Sequence, residues 1–559
     1  MFKPKLIEVF THPYSTKDFV HDLGAGVLVG IVAIPLSIAI AIASGVTPEQ
    51  GLITAIIGGF LVSAFGGSRF QIGGPTGAFI VIVYGIIQSH GIEGLLAATF
   101  IAGILLVLLG ALKLGTIIQY IPHPVVIGFT LGIALIIFSS QVKDMLGLPL
   151  TQVPAEFFPK WHLYLNTIGS INYWALITTL STIGLLLVIQ KIDRRIPGAL
   201  IVLVVITLLV QWFQIPIETI GTKFGSISTA IPPPTLPIRL LNLGSDLILP
   251  ALSIALLAGI ESLLSAVIAD GMTNTRHDSN TELIAQGLAN IVSPLFGGIP
   301  VTGAIARTAA NIKGKAVSPL AGIIHSLVLV GVLVFLSPLA ALIPLAVLSG
   351  ILAVVAYRMS ELHTVRLLLK GPRSERLVLV LTFLLTIGLD LTIAIPLGIV
   401  VALVVFVRHT VLQVQVHRYT TTVQDVPPDL DPKGITRLTI PDQIDVLDLR
   451  GPWFFGAAEI FQQKLQLPSP PPRVRILRIT QVPTMDTTGA RSFASLIGQA
   501  RTLGTNLILV GIQPHVEKTL TQLGILEQIG KDNLVPDLPH GIQRAQDLMK
   551  LHQENPNSN

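Results

Sequence analysis

Gly73-Gly74-Pro75-Thr76-Gly77-Ala78 and Gly297-Gly298-Ile299-Pro300-Val301-Thr302-Gly303-Ala304 are two copies of one short phrase, set in opposite halves of a 559-residue chain. Each ends in Thr-Gly-Ala and opens an apolar stretch shorter than the roughly 20 residues that cross a bilayer. Matched Gly/Pro-broken segments in two halves of a chain point to a transporter substrate site. Small residues also recur wherever membrane helices approach closely, so the register around the phrases has to decide.

Apolar segments fall near residues 22–44, 50–66, 75–89, 93–112, 116–139, 171–190, 196–213, 245–269, 282–296, 302–312, 317–337, 339–357, 375–389 and 391–411, which makes fourteen in two sets of seven. The segments opening at Thr76 and Thr302 each stand third in their set. The sets open at Asp22-Leu23 and Asp246-Leu247, so the repeat offset nearly equals the offset between the phrases. An odd number of spans turns the second copy over, which predicts an inverted repeat, residues 22–213 and 245–411, within one helical membrane domain.

Composition agrees. Mean hydropathy is +0.74, and 12% of residues are charged against about 25% in soluble domains. The net charge of +5 reads as positive-inside sorting rather than a nucleic-acid surface. With a cytoplasmic N-terminus, the inner loops carry Arg69, Lys113, Lys191 to Arg195, Arg276, Lys313, Lys315, Arg358, Arg366, Lys370, Arg373, Arg376 and Arg408. The outer loops carry little beyond Lys143, Lys160, Lys223 and Arg239. Both termini are therefore expected in the cytoplasm, with the spans in an inner or plasma membrane bilayer. Residues 1–21 read as a polar, amphipathic cytoplasmic segment without a cleavable signal. There is no cysteine, which excludes disulfides and thiolate metal sites.

Past residue 411 the chain becomes polar, with Val426-Pro427-Pro428-Asp429 as a linker. Strand-like runs at Ile444–Leu449, Val474–Ile479 and Asn506–Ile512 alternate with helical segments near 455–466, 488–503 and 515–523. This predicts a small α/β domain over residues 420–552 and a flexible tail at 553–559.

Helix N-termini carry unpaired amides and about half a positive charge each, so two of them facing each other make an anion site without a cationic side chain. Thr76 and Thr302 could cap them. Gly77 and Gly303 let an ion approach the backbone. Glu261 lies in an apolar span, where a charge costs at least about 2.5–3.5 kcal/mol and needs a cavity, a partner or a proton. Ser265, one turn on, either shares a bound ion or bonds its own helix. Arg307 answers Glu261 or a substrate, or snorkels to the cytoplasm. His123 and His277 lack neighbours at metal-ligand spacing. With no GxxxxGK loop and no paired nucleophile and base, neither a cofactor nor an enzymatic activity is expected.

Asp22-Leu23-Gly24-Ala25-Gly26 through Pro35 to Gly45-Val46-Thr47-Pro48-Glu49-Gln50-Gly51-Leu52 resembles the opening of the SulP anion permeases, the solute carrier 26 family. So do Gly67 to Gly77, Ile121-Pro122 with Val125 and Gly128-Phe129, and Asn280 to Asn290. Val482-Pro483-Thr484-Met485-Asp486-Thr487-Thr488-Gly489 is similar to the core of their companion STAS domain. The resemblance implies core and gate domains, a homodimer, and elevator-like movement of a small anion. It places the anion between Thr76, Gly77 and Ala78 and Gly303, Ala304, Ile305 and Ala306, with Leu36 and Ile40 as a wall, and it assigns the acidic and basic positions to Glu261 and Arg307.

Sodium-dependent bicarbonate members of that family carry Thr where this chain has Ile305 and Asp where it has Glu261. A sodium site needs several oxygen ligands and is weakened here. The run Thr302 to Arg307 resembles the branch that couples protons to dicarboxylates or sulfate. The expectation is therefore uptake of sulfate, bicarbonate or a dicarboxylate with protons through Glu261. The alternatives are sodium-bicarbonate transport or, in another class, a STAS-based membrane sensor switched by phosphate at Thr487 or Thr488 beside Asp486.

Overall fold

The computed structural model describes residues 3–11, 13–116, 122–150, 152–192, 197–225, 228–237, 244–389, 391–419 and 440–554. Ile121, the basic run 193–195, Arg239, the linker at Val426 to Asp429 and the tail from residue 555 lie outside the described residues. The chain divides into two compact units, Met1–Ala402 and Leu403–Asn559.

The first half of the membrane unit comprises α1 (Leu6–Thr11), α2 (Thr16–Ala43), α3 (Pro48–Phe65), β1 (Gly73–Gly74), α4 (Phe79–Ala111), α5 (His123–Leu146), α6 (Phe157–Thr167), α7 (Tyr173–Ile192), α8 (Gly198–Trp212) and α9 (Ile220–Phe224). The second half has α10 (Ile248–Thr273), α11 (Ser279–Val292), β2 (Thr302–Gly303), α12 (Ile305–Lys313), α13 (Leu320–Ala340), α14 (Leu345–Met359), α15 (Leu362–Lys370), α16 (Arg373–Gly388) and α17 (Leu391–Leu412), which runs through the division between units. Each of the fourteen apolar segments has a helical counterpart. Segments 75–89 and 93–112 are the two helices that α4 comprises, broken between them at Gly91 (φ 69°, ψ −178°), a conformation that favours a residue without Cβ. Among the described residues, seven helices are by themselves long and apolar enough to cross a membrane, or eight if the bent pair containing α6 and α7 is one span.

Local chemistry sets the helix starts. Ser15 and Asp18 form a reciprocal capping box on α2, and Thr47, Pro48 and Gln50 do the equivalent on α3, satisfying amides that a helix leaves open. The packing then follows the repeat. Helix α2 packs on α13 and its counterpart α10 packs on α4; α3 packs on α13 and its counterpart α11 on α4. Helices α5 and α14, which are counterparts, pack on each other, and they take α16 and α7 as further partners. Exchanging the two halves therefore maps these pairs onto one another, as an inverted repeat requires.

Asp22, the first residue of its repeat, is fully buried. Its carboxylate accepts from Val317 N–H at 2.7 Å, Ser318 N–H at 3.0 Å, the Ser318 hydroxyl and the Tyr14 hydroxyl at 2.7 Å, so it caps the start of α13 from the opposite half. Removing one acceptor here leaves several donors unpaired, each worth about 1–3 kcal/mol. Asp22→Ala should lower the unfolding midpoint of purified protein by several degrees, whereas Asp22→Asn should lower it less. A thermal melt in detergent reads both.

The N-terminal helix α1 pins the loop that leads to β1. Lys5 N–H donates to Gly66 O at 2.9 Å, and Arg69 Nε donates to Glu8 at 2.8 Å. Burial pushes the Glu8 carboxyl up, but hydrogen bonds from Lys5 and Arg69 outweigh it and hold the group below its ordinary value. This contribution is present at neutral pH and is lost as pH falls through that lowered value.

The second unit is a five-stranded sheet in the order β3 (Gln415–Tyr419), β4 (Ile444–Arg450), β5 (Val474–Gln481), β6 (Asn506–Val510), β7 (Leu534–Val535), antiparallel only between β3 and β4. Helices α18 (Ala458–Lys464), α19 (Thr487–Thr502), α20 (Pro514–Gln522), α21 (Leu526–Ile529) and α22 (Leu538–Glu554) accompany it. The three central strands are buried along most of their length, β6 as a nearly unbroken apolar run, whereas β4 and β5 interleave apolar residues with charges that pair between the strands, Arg475 with Asp445 at 2.6 Å. The exposed edge strand β3 and the two-residue β7 carry no such signal. Trp453 anchors one face, stacked 4.4 Å from Phe461 and edge-on to Phe493 at 5.3 Å.

Candidate anion site

The two Thr-Gly-Ala phrases meet directly. Strands β1 and β2 pair antiparallel, Gly73 opposite Gly303 and Gly74 opposite Thr302, and Ala304 N–H donates to Ile72 O at 2.8 Å. Helices α4 and α12 leave this ladder at Phe79 and Ile305, three residues past each phrase's threonine. The first bonds of α4 run from Phe79 N–H to Thr76 O and from Ile80 N–H to Gly77 O, and the first of α12 from Thr308 N–H to Ala304 O. The amides of Gly77 and Ala78 and of Ile305, Ala306 and Arg307 are thus first-turn or pre-helical donors, the groups a helix leaves open.

Between them lies a cavity of about 280 Å³. Its polar end is formed by Thr76, Gly77, Ala78, Ala304, Ile305, Ala306, Arg307 and Glu261. Leu36 and Ile40 of α2 form one apolar wall, Val125, Phe129 and Ile133 of α5, Ile260 and Leu264 of α10 and Met359 of α14 line much of the remainder, and Arg358, Glu361, Thr130 and Thr382 add polar groups to it. The α5 and α14 residues escape the repeat logic, because they face the site from helices without any broken segment. Val125 and Gly128-Phe129 within the family signature mark the α5 residues, and no such signal marks Met359 of α14.

Four expectations change. Neither threonine caps its helix: Thr76 Oγ1 donates to Glu261 at 2.8 Å, and Thr302 Oγ1 donates to Ala258 O at 3.0 Å. Ser265 does not line the cavity; it is buried and donates to Thr308 Oγ1 at 3.3 Å, the atom that also receives Ile72 N–H at 3.1 Å. Gly303 also sits behind the wall, where a Cβ would lie 2.0 Å from Gln71 Nε2. Arg307 is not a snorkelling anchor. It is 2% exposed, its Nη2 donates to Pro75 O at 2.9 Å and Ser37 Oγ at 3.3 Å, and among the described residues no ion pair joins it to Glu261. The guanidinium therefore staples the second broken helix to the first phrase, while Glu261 is bonded to that phrase from the other side.

Gly74 makes room for this arrangement. Its φ is +151°, and a Cβ there would lie 2.2 Å from Arg307 Nη1. Gly74→Ala should raise the substrate KM by about tenfold, through displacement of the guanidinium, and cost about 1–3 kcal/mol of stability from backbone strain. Uptake kinetics and a thermal melt separate the two effects.

The sulfate permease family model matches residues 19–382, and the STAS domain model matches residues 436–539. YvdB of Bacillus subtilis (strain 168) is 40% identical over 522 residues, covering 93% of this chain and 96% of that protein. The chain belongs to the sulfate permease family. The bicarbonate transporter BicA of Picosynechococcus sp. is 27% identical over 94% of both chains. A solved structure of SLC26A9 superposes with a TM-score of 0.86 at 21% identity, covering 98% of this chain and 93% of that one, so this sulfate permease family member has that helical membrane fold with a C-terminal STAS domain.

In the STAS domain, Asp486 caps α19: Oδ1 accepts from Gly489 N–H at 2.7 Å and Oδ2 from Phe455 N–H at 2.9 Å. Thr487 and Thr488 stand exposed in the first turn.

Proposed function

We propose that this protein is a secondary active transporter that carries a small anion across the membrane together with protons. The observation that carries the reading is Glu261, an acid carried within a full spanning helix, which lines the cavity and is bonded through Thr76 to the start of the first broken helix. The anion is held by the first-turn amides of α4 and α12 and by Arg307. Two helix ends and one guanidinium supply roughly +2, and an ionised Glu261 lowers this to about +1. Protonation therefore favours the more negative anion, and loss of the proton on the cytoplasmic side favours its release.

The family's name and the bicarbonate transport named for a relative support sulfate and bicarbonate as substrates to test, and the resemblance of the run Thr302 to Arg307 adds dicarboxylates. Ile305 offers hydrocarbon to the cavity, which supports proton over sodium coupling. The site moves between the two sides in an elevator-like step, in a homodimer with fourteen spans and both termini cytoplasmic. Uptake of labelled sulfate, bicarbonate and succinate into proteoliposomes, under separately imposed proton and sodium gradients, tests this. Uptake is expected to follow the proton gradient. Collapse of transport when sodium is replaced by a bulky cation would overturn that coupling, and absence of flux from pure protein would favour a sensor.

A further inference from the structure

Helix α15 joins α14 to α16 but is only nine residues long, about 13 Å, too short to cross a bilayer. One face holds it down: Val365 is buried with Ile127 of α5 and Leu379 of α16, and Leu368 packs on the same group beside Leu131. The opposite face is uncovered. Leu367 is 57% exposed, Leu369 43% and Leu362 36%, and His363, Arg366 and Lys370 stand exposed among them. At about 100° per residue, Leu362 and Leu369 lie to one side of Arg366 and Lys370, and Leu367 lies to the other. The helix contains no acidic residue.

Neither water nor a purely apolar partner suits this face: the first leaves three leucines wet, and the second buries two charges. A bilayer interface takes both, because leucines enter the acyl boundary while Arg and Lys reach back to the headgroups. Charge then selects the lipid. Over Leu362–Arg376 the cations Arg366, Lys370, Arg373 and Arg376 stand against Glu375 alone, on the side that the basic loops assign to the cytoplasm. The cytoplasmic leaflet carries the anionic lipids that attract such clusters beside spans. The same helix is tied to the anion cavity. Val355, Arg358 and Met359 of α14 and Glu361 line that cavity, and only Ser360 and Glu361 separate α14 from α15. Glu361 holds φ 41° and ψ 44°, a left-handed conformation that a residue with a Cβ keeps only where its surroundings impose it. A shift of α15 is therefore passed to the lining of the mouth with little slack.

We propose that α15 is an interfacial helix whose Arg366 and Lys370 bind the headgroups of anionic phospholipid, and that the docked helix sets the inner mouth of the cavity through Glu361. The control of the mouth rests on the anion reading of the site above. The lipid contact does not.

The chain has no cysteine, so a single nitroxide on Leu369→Cys reports on this face alone; Leu362→Cys, on the same side, serves if that variant does not fold. In full-length protein reconstituted into phosphatidylcholine vesicles containing phosphatidylglycerol, the label should be reached by oxygen and shielded from a water-soluble nickel chelate. A label on Leu503→Cys, exposed in the α/β domain, should be reached by the chelate. Chelate access equal to that at Leu503 would put the face in water, and shielding from both reagents would put it under protein, a second copy of the chain included; either result overturns the proposal. A photoactivatable phosphatidylglycerol should crosslink within Leu362–Arg376 several-fold more than the same probe on phosphatidylcholine. Arg366→Gln combined with Lys370→Gln should cut that preference at least about fivefold, and an undiminished preference overturns the assignment to these residues. Initial anion uptake by the wild type should change several-fold with phosphatidylglycerol content, and the double variant should be indifferent to it. Wild-type uptake indifferent to the lipid overturns control of the mouth. Lipid contact in a protein without anion flux would refute the transport reading and leave the docking site standing.

Discussion

Arg307→Ala should reduce anion uptake by at least about 30-fold in protein that still folds. Removing one partner of a buried, hydrogen-bonded charge contact costs about 2–5 kcal/mol, and each 1.4 kcal/mol is tenfold. The loss has two parts. The anion loses a full positive charge in a site whose remaining donors are partial charges at helix ends. The first phrase also loses the clamp on Pro75 O and Ser37, so the amides of Gly77 and Ala78 are no longer held against α12. Arg307→Lys separates these parts, because an ammonium restores charge but not a planar fork that reaches two acceptors. Lysine should recover some affinity at low anion concentration and little of the maximal rate. Equal uptake by wild type and Arg307→Ala would place the anion elsewhere.

Glu261→Gln should abolish acceleration of uptake by external acid and leave anion exchange in place. The amide keeps the shape and can still accept from Thr76, so the start of α4 stays in position, but the site can no longer alternate between roughly +1 and +2. A unit charge several ångströms away at an effective dielectric near 20 is worth about 2–3 kcal/mol, which predicts tens to a hundredfold between acid and neutral pH in the wild type and a flat profile in the variant. Retained acid stimulation would assign coupling to another group. The measurement is initial uptake against external pH at fixed internal pH.

The repeat was legible because it is written in composition and punctuation: apolar runs of span length, glycine and proline at matched places, and basic residues sorted to alternate loops. The α/β domain was legible for its buried central strands, rich in Ile, Leu and Val and bounded by turn residues, although β4 and β5 also bury Asp445, Asp448, Arg475 and Arg478. Details fixed by distant partners were not. Spacing put Ser265 on the face of Glu261, yet Thr308 from another helix meets it first. Proximity suggested a pair between Arg307 and Glu261, but the Pro75 carbonyl and Ser37 claim the guanidinium, and Thr76 claims the acid. The break inside α4 was legible, since Gln88-Ser89-His90-Gly91 interrupts the hydropathy where the backbone leaves helical geometry at Gly91. Two-residue strands have no periodicity to detect, and β1 and β2 were visible only as repeated glycine.

Those two strands carry a constraint on the gene as well as on the protein. In an antiparallel ladder, slipping by one residue turns every side chain to the other face. Gly73 opposite Gly303 and Gly74 opposite Thr302 set, at one crossing, the distance from Pro75 O to Arg307 and the aim of both helix ends. Substitutions in either phrase can be compensated by a neighbour, but a one-codon insertion or deletion between residues 70 and 76, or between 300 and 304, shifts one half against the other with no neighbour able to restore it. The two copies have drifted apart in chemistry, Val81 standing where the second has Arg307, and in length before the ladder, where the second copy has two more residues between its Gly-Gly and its Thr, yet the crossing itself keeps one register.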